Sequence, residues 1–590
     1  MKSFAILFVF TLGLLSCNHA NKNKFGNPNF EAFLENYYQD QLKLSPLSAT
    51  MVGDDRYDDL LPNDGSFAYL NEWSKFNRSY LDSLKNYDRT SLSDNNQLSF
   101  DNLKYELEIN LEGDQYHFEY LPFNQFDGLP LTLGQLGSGT SAQPFKTVKN
   151  YEDWLKRVSA FSVWADTAIG NFRNGIAEGI VLPRKLVIKM IPQMKSMLVS
   201  DPKKSLFYGP VNLMPKDFSV ADKARLTKEY ENAIMTIIVP TYKKLGSFLQ
   251  SEYLSKATNN SGYASMTGGA KMYAYQVKVN TTTNKTPEEI YQTGLSEVAR
   301  IRKTMDSIKD AVAFKGDLKT FFEYMKTDKQ YMPYHEPREI IAAFEGIHLR
   351  MQPNLKKMFL HEPKTQFEIR QTEAFRAASA SAEYNAGSAD GKRPGIFYVP
   401  ILDAAQFNTT SGMESLFLHE AIPGHHYQIS LTQENTSLPK FRRYGGHNAY
   451  VEGWALYCES LGKELGLYTD PFQYMGALGD EIHRAIRLVV DVAIHSKNMS
   501  REEAIKYMMD NEAISEQGAT AEIERYMAIP GQALGYKTGA MKIAALRKKY
   551  ETSLGAKFNL AEFHNEVLKD GSLPLAVFEA KMDSWAASKN

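Results

Sequence analysis

The sequence predicts a mainly α-helical protein with one small β-sheet, and three observations carry this. Apolar residues recur at spacings of three, four or seven, the signature of one helical face. Helix-start signals are frequent. Thr286-Pro287-Glu288-Glu289 joins an N-cap, a first-turn proline and a glutamate that reaches back, and Ser500 with Glu503 repeats the box. Strand signals, by contrast, are few. The 590 residues are 43% apolar and 23% charged, which excludes a disordered or fibrous chain. Lys+Arg 67 against Asp+Glu 69 gives a net charge of -2, so nucleic acid is not an expected partner.

In chain order, residues 1–16 read as a secretory signal. Lys2 is positive, and Phe4–Leu15 is apolar but too short to span a membrane. Leu14-Leu15-Ser16-Cys17 resembles a bacterial lipobox, with Cys17 as the lipidated first residue. Residues 17–27 then form a polar tether. The expected place is the bacterial cell envelope, anchored by lipid to the outer membrane and facing the periplasm. Acylation of Cys17 leaves Cys458 as the one other cysteine, which reads as a buried small side chain.

Residues 28–280 are expected to form an N-terminal helical lobe, and 281–590 a second lobe that carries the chemistry. Tyr291, Leu295, Val298, Met305 and Ile308 line one face of the helix that starts at Thr286. Ala377–Lys392 reads as loop. Gly395–Val399, between Pro394 and Pro400, reads as an edge strand able to pair with an extended substrate through Gly395, Phe397 and Tyr398. Asn559 with Glu562 resembles another capping box, and Gly571 fits a helix stop.

Six of the 12 histidines fall between His419 and His495, around His419-Glu420-Ala421-Ile422-Pro423-Gly424-His425-His426. Ser411 with Glu414 suggests a capping box ahead of it. A zinc peptidase helix carries His-Glu-x-x-His: two imidazoles four apart share a metal, and the glutamate activates the attacking water. Here position 423 is proline, and the next imidazoles lie six and seven residues beyond His419. On a regular helix six steps land ~120° away, and seven steps return to the face but climb ~10.5 Å. Pro423 removes an N–H and clashes with the preceding turn, while Gly424 tolerates unusual dihedrals. A bulge that absorbs two residues would bring His425 into the ligand place, and His426 is the alternative.

Glu452, 27 residues after His425, is the expected third ligand. Glu459, seven further on the same face, is expected to hold a ligand imidazole by its free N–H. Two acids on so apolar a helix are costly to bury unless they coordinate or pair. Arg484, Arg487, Asp491 and His495 share a helical face, and Arg525-Tyr526 and Tyr536 follow. A tyrosine there could steady an oxyanion, and an arginine could grip a substrate carboxylate. The competing reading pairs these arginines and acids with each other. His447, flanked by glycine, reads as a loop residue.

HEAIPGHH, VEGWALYCE and ERYMAIPGQALGY together resemble the bacterial domain of unknown function 885 family, grouped with zincin-type metallopeptidases. LSPLSATMVGDDRYDD, TTTNKTPEEIYQTGL and FNLAEFHNEVLKDGSLPL extend the likeness over nearly the whole mature chain. The resemblance implies a large helical zincin-like fold with a deep cleft, Zn2+ as cofactor and peptide as substrate. In such relatives a glutamate about 25 residues after the second histidine is the third ligand, which suits Glu452. Three functions stay open: a zinc peptidase acting on short peptides, a zinc amide hydrolase acting on cell-wall peptide, and a non-catalytic lipoprotein that binds glycan or peptide.

Overall fold

The computed structural model describes residues 27–372, 381–388 and 393–589. The signal, Cys17 and the tether as far as residue 26 lie outside the described residues, as do residues 377–380 and 389–392 of the expected loop. Among the described residues the regular structure is helical apart from three short strands. Among the described residues, no helix is long and apolar enough to cross a membrane.

One aromatic-rich core fills the N-terminal helices between Phe123 and Tyr253. A smaller core joins Phe30, Tyr37 and Leu103 to Phe441. The elements that build the site follow. Helix α1 (Gly269–Thr281), the last before the expected boundary at 280, packs against three later helices: α6 (Asn448–Ser460), α7 (Pro471–Ser496) and α9 (Leu534–Leu554). Helix α2 (Pro287–Ala311) begins with the predicted capping box, Thr286 and Glu289 each bonding the other's backbone N–H. It lies along α7 and buries Val298 and Met305, as its apolar period predicts. The box at Ser500 and Glu503 also forms.

Helix α3 (Pro337–Met358) supports a three-stranded sheet of order β1-β3-β2. Strand β1 (Phe367–Gln371) pairs in parallel with β3 (Gly395–Val399), Phe367 opposite Gly395. Strand β2 (Glu383–Asn385) pairs antiparallel, Tyr384 opposite Phe397. This corrects two expectations. Gly395, Phe397 and Tyr398 lie on the central strand rather than an edge: Phe397 and Tyr398 have partners on both sides, and Gly395 has one on β1. The stretch expected to be loop supplies the edge strand β2. Pro394 and Pro400 flank β3 and remove no ladder N–H from within it, and its unbroken apolar run is that of a strand covered on both faces.

The site elements are α4 (Met413–Glu420), α5 (His425–Glu434), α6, α7, α8 (Glu516–Ala528) and α9. Helix α4 is not capped as expected. Gly412 is its N-cap at φ 82°, and Glu414 instead accepts from Arg350 Nη2 at 2.5 Å and from the Tyr468 N–H at 2.7 Å. Helices α6 and α9 cross backbone to backbone. A Cβ on Gly453 would lie 2.5 Å from Gly539 Cα, and one on Gly539 would lie 1.7 Å from the Ala449 carbonyl oxygen.

Candidate metal centre

His419 and Glu420 end α4, and His425 begins α5. The chain does not bulge between them. The helix stops at Glu420 and restarts after a four-residue turn with a cis Ile422–Pro423 peptide. Gly424 is required there, since a Cβ would sit 2.0 Å from the His419 carbonyl oxygen. The Pro423 carbonyl accepts from Trp454 Nε1 at 2.9 Å. The turn swings His425 back to face His419, with ring centroids 4.9 Å apart and planes at 88°.

Glu452 completes the group from α6. Its Oε2 lies 3.6 Å from His419 Nε2 and 3.5 Å from His425 Nε2. That oxygen is buried and has no hydrogen-bond partner. Donors bound tetrahedrally at about 2.0–2.1 Å from one zinc ion sit ~3.3–3.4 Å from each other. Two imidazole nitrogens and an orphaned carboxylate oxygen at these separations therefore fit a shared metal ion. One donor atom each from His419, Glu420 and His425 also lie within 4.8 Å of one another, so Glu420 is itself a candidate donor here.

Glu459, one turn-pair along α6, accepts from His419 Nδ1 at 2.7 Å. This is the expected second contact of a ligand imidazole, and it directs Nε2 toward Glu452. Burial alone would strip the proton from His419, but Glu452 and Glu459 outweigh it and lift the imidazole to about 10. Glu452 is raised by burial and lowered further by His419 and His425, so it is held well below the usual carboxylate range.

His426 points elsewhere. It lies under the sheet, with Nδ1 3.0 Å from the Tyr384 hydroxyl, and burial lowers it to about 4. His447 is the N-cap residue of α6 and reaches Asn102 at 2.7 Å. Cys458 is buried and its thiol is pushed well up by burial, as a small core residue should be.

The predicted tyrosines separate. Tyr536 stacks near His419 at 6.4 Å and 17°, with the Arg487 guanidinium 4.7 Å from its ring centre. Tyr526 is fully buried, and its hydroxyl is committed: it donates to Glu522 Oε2 at 2.5 Å and accepts from Arg487 Nε at 2.9 Å. It holds helices together rather than facing a reacting group.

The polar face of α7 forms as predicted, but its partners are structural. Arg487 also reaches Glu522 at 3.1 Å. Arg484 lies between Asp480 at 3.2 Å and Glu459 at 3.9 Å. Asp491 accepts from the Tyr273 hydroxyl at 2.6 Å and from the Gly531 N–H at 3.1 Å, and burial pushes it up to about 7. His495 Nδ1 accepts from the Tyr263 N–H, and its Nε2 donates to the Tyr526 carbonyl at 3.0 Å. Arg525 donates to Gln532 at 2.9 Å. These arginines are thus tied to protein partners, while Arg484 Nε and Arg525 Nε stay buried without one. Asp480 and Trp454 carry contacts that sequence spacing alone did not single out.

A cleft of about 1670 Å³ runs beside the two helices that supply His425 and Glu452. It is lined by Gln428 and Thr432 of α5, Val451 of α6, Asp54–Arg56 and Pro144–Thr147.

Comparison with known proteins agrees with this architecture. A candidate lipoprotein from Colwellia psychrerythraea aligns with TM-score 0.84 and 27% identity, over 95% of this chain and 99% of that one. A candidate lipoprotein of unknown function from Shewanella oneidensis aligns with TM-score 0.75 and 21% identity, over 94% and 99%. An M32 carboxypeptidase from Deinococcus radiodurans R1 aligns at 12% identity over 95% and 99%, with a TM-score of 0.35 that is too low to support a shared fold. No curated protein matches the sequence. The profile of bacterial proteins of unknown function DUF885 matches residues 46–582, so the chain belongs to the DUF885 family.

Proposed function

We propose that the protein is a zinc-dependent hydrolase of peptide bonds in short peptides. The observation that carries this reading is Glu452 Oε2, buried and unpartnered, 3.6 and 3.5 Å from the Nε2 atoms of His419 and His425. His419, His425 and Glu452 would hold the ion. Zinc, when bound, supplies Lewis acidity that makes a water nucleophilic near neutral pH. Glu420 takes the proton of the attacking water as its oxygen bonds to the scissile carbonyl carbon. The carbonyl electron pair moves to oxygen, and the Tyr536 hydroxyl donates to that oxyanion. The C–N bond then breaks, and Glu420 passes its proton to the leaving nitrogen. Glu459 holds His419 in orientation throughout. An anchor at Cys17 would tether the reaction at the cell envelope, in keeping with the candidate lipoproteins the chain resembles.

The test is Glu420→Gln, assayed on a mixed short-peptide library. Zinc content should match the parent while hydrolysis falls about 10²- to 10⁴-fold, the usual worth of a positioned base. Hydrolysis at the parent rate would refute the mechanism.

A further inference from the structure

We propose that Trp454 is a positioning residue for the metal ion: its indole N–H, bonded to the Pro423 carbonyl, fixes the turn that sets His425 opposite His419. This rests on the metal reading above. Residues 421–424 join two helices, and His425 is the first residue of the second, so its direction depends on that turn. Backbone bonds grip the turn at its ends, from Ala421 N–H to Phe417 and from His426 N–H to Ala421. Its middle has no N–H at Pro423, and the Pro423 carbonyl is bonded by Trp454 at 2.9 Å.

Trp454 is itself immobile. It is fully buried, with Phe359, Tyr457 and His564 around it at ring distances of 6.2, 5.7 and 5.7 Å. His564 is fixed at both nitrogens, by the Met358 carbonyl at 2.9 Å and by the Tyr457 hydroxyl at 2.9 Å. Burial pushes this imidazole down to about 3, so it is neutral: Nδ1 donates to the carbonyl and Nε2 accepts from Tyr457. The indole is therefore a rigid donor.

Trp454 stands two residues after Glu452 on α6. One helix thus supplies the metal carboxylate and the clamp on the turn that delivers an imidazole. A buried tryptophan needs some acceptor for its N–H. What distinguishes this one is that the acceptor lies two residues from His425.

The experiment measures zinc dissociation constants by competition with a chromophoric chelator, on the full chain, with thermal unfolding alongside. Trp454→Phe keeps an aromatic ring and removes the donor, and should weaken zinc binding about 10- to 100-fold, as loss of an outer contact to a ligand does. Tyr242→Phe removes a buried hydroxyl bonded to the Pro130 carbonyl in the N-terminal core, outside the turn and its clamp, and should bind zinc as the parent does. If Trp454→Phe does not fold, a chain with the benzothienyl isostere at 454 keeps the indole shape without the N–H, and the same weakening is expected. Parent-like affinity in the donorless chain, or equal weakening by Tyr242→Phe, would overturn the proposal and leave the metal reading intact. A parent chain that takes up no zinc would end both.

Discussion

Two regions of the second half bury polar side chains on apolar helices, and they do so differently. Around Glu452, polar atoms converge and are left unpaired: Glu452 Oε2, Glu459 Oε2 and His425 Nδ1 are buried without partners. Around Asp491, they converge and are satisfied: Tyr273, Gly531, Tyr263 and the Tyr526 carbonyl meet every polar group of Asp491 and His495. A buried unpaired acceptor costs stability unless something absent from the chain completes it. A satisfied one acts as a pin. Both places bury titratable side chains, and only the unpaired geometry points to a ligand.

Replacing one member of each region should separate them, and the largest difference is expected at the imidazoles. His425→Ala should reduce zinc from about one ion per chain to almost none, since two protein ligands hold it poorly. His426→Ala should keep it. Elemental analysis after dialysis reads both, and loss of zinc with His426 alone would redraw the site.

Next comes Glu459→Ala, which frees His419 Nδ1 and should weaken zinc binding about 10- to 100-fold. Asp491→Asn turns one acceptor oxygen into a donor facing the Gly531 N–H. It should cost about 1–3 kcal/mol in chemical denaturation and leave zinc affinity unchanged. Weaker zinc binding in that variant would mean the two regions are not separate.

A further effect concerns pH. Burial lowers His495 to about 4, against about 6.5 for a free imidazole. In this window the unfolded chain binds a proton that the folded chain refuses. The stability His495 contributes is thus present above about pH 6.5 and is lost as pH falls toward 4. His495→Gln should make the decline of stability over that window shallower by up to ~1.4 kcal/mol per pH unit. An unchanged slope would mean His495 is charged in the fold.

What the sequence disclosed follows the same division. The boxes at Thr286 and Ser500 were legible because both partners lie three residues apart. His419, Glu452 and Glu459 were legible because burying two acids on an apolar helix needs a reason. That α7 presents Arg484, Arg487, Asp491 and His495 on one face was legible from period alone. Their roles were not, because their partners come from Tyr263, Tyr273, Glu522 and Gly531, far away in the chain. The place of β3 escaped for the same reason: its flanking prolines say where it ends, and its neighbours say whether it is an edge. The turn at 421–424 departs from regular helix as Pro423 and Gly424 predict, and its outcome is a break rather than a bulge.

The crossing of Gly453 and Gly539 acts as a registration mark. With backbone against backbone, there is no side chain whose bending could absorb an error. A slip of one residue would move Glu452 by about 1.5 Å along the helix and turn it by ~100°. Either would take the carboxylate out of reach of both imidazoles. Assembly of the core therefore also checks the site: α6 seats on α9 with Glu452 aligned, or it does not seat.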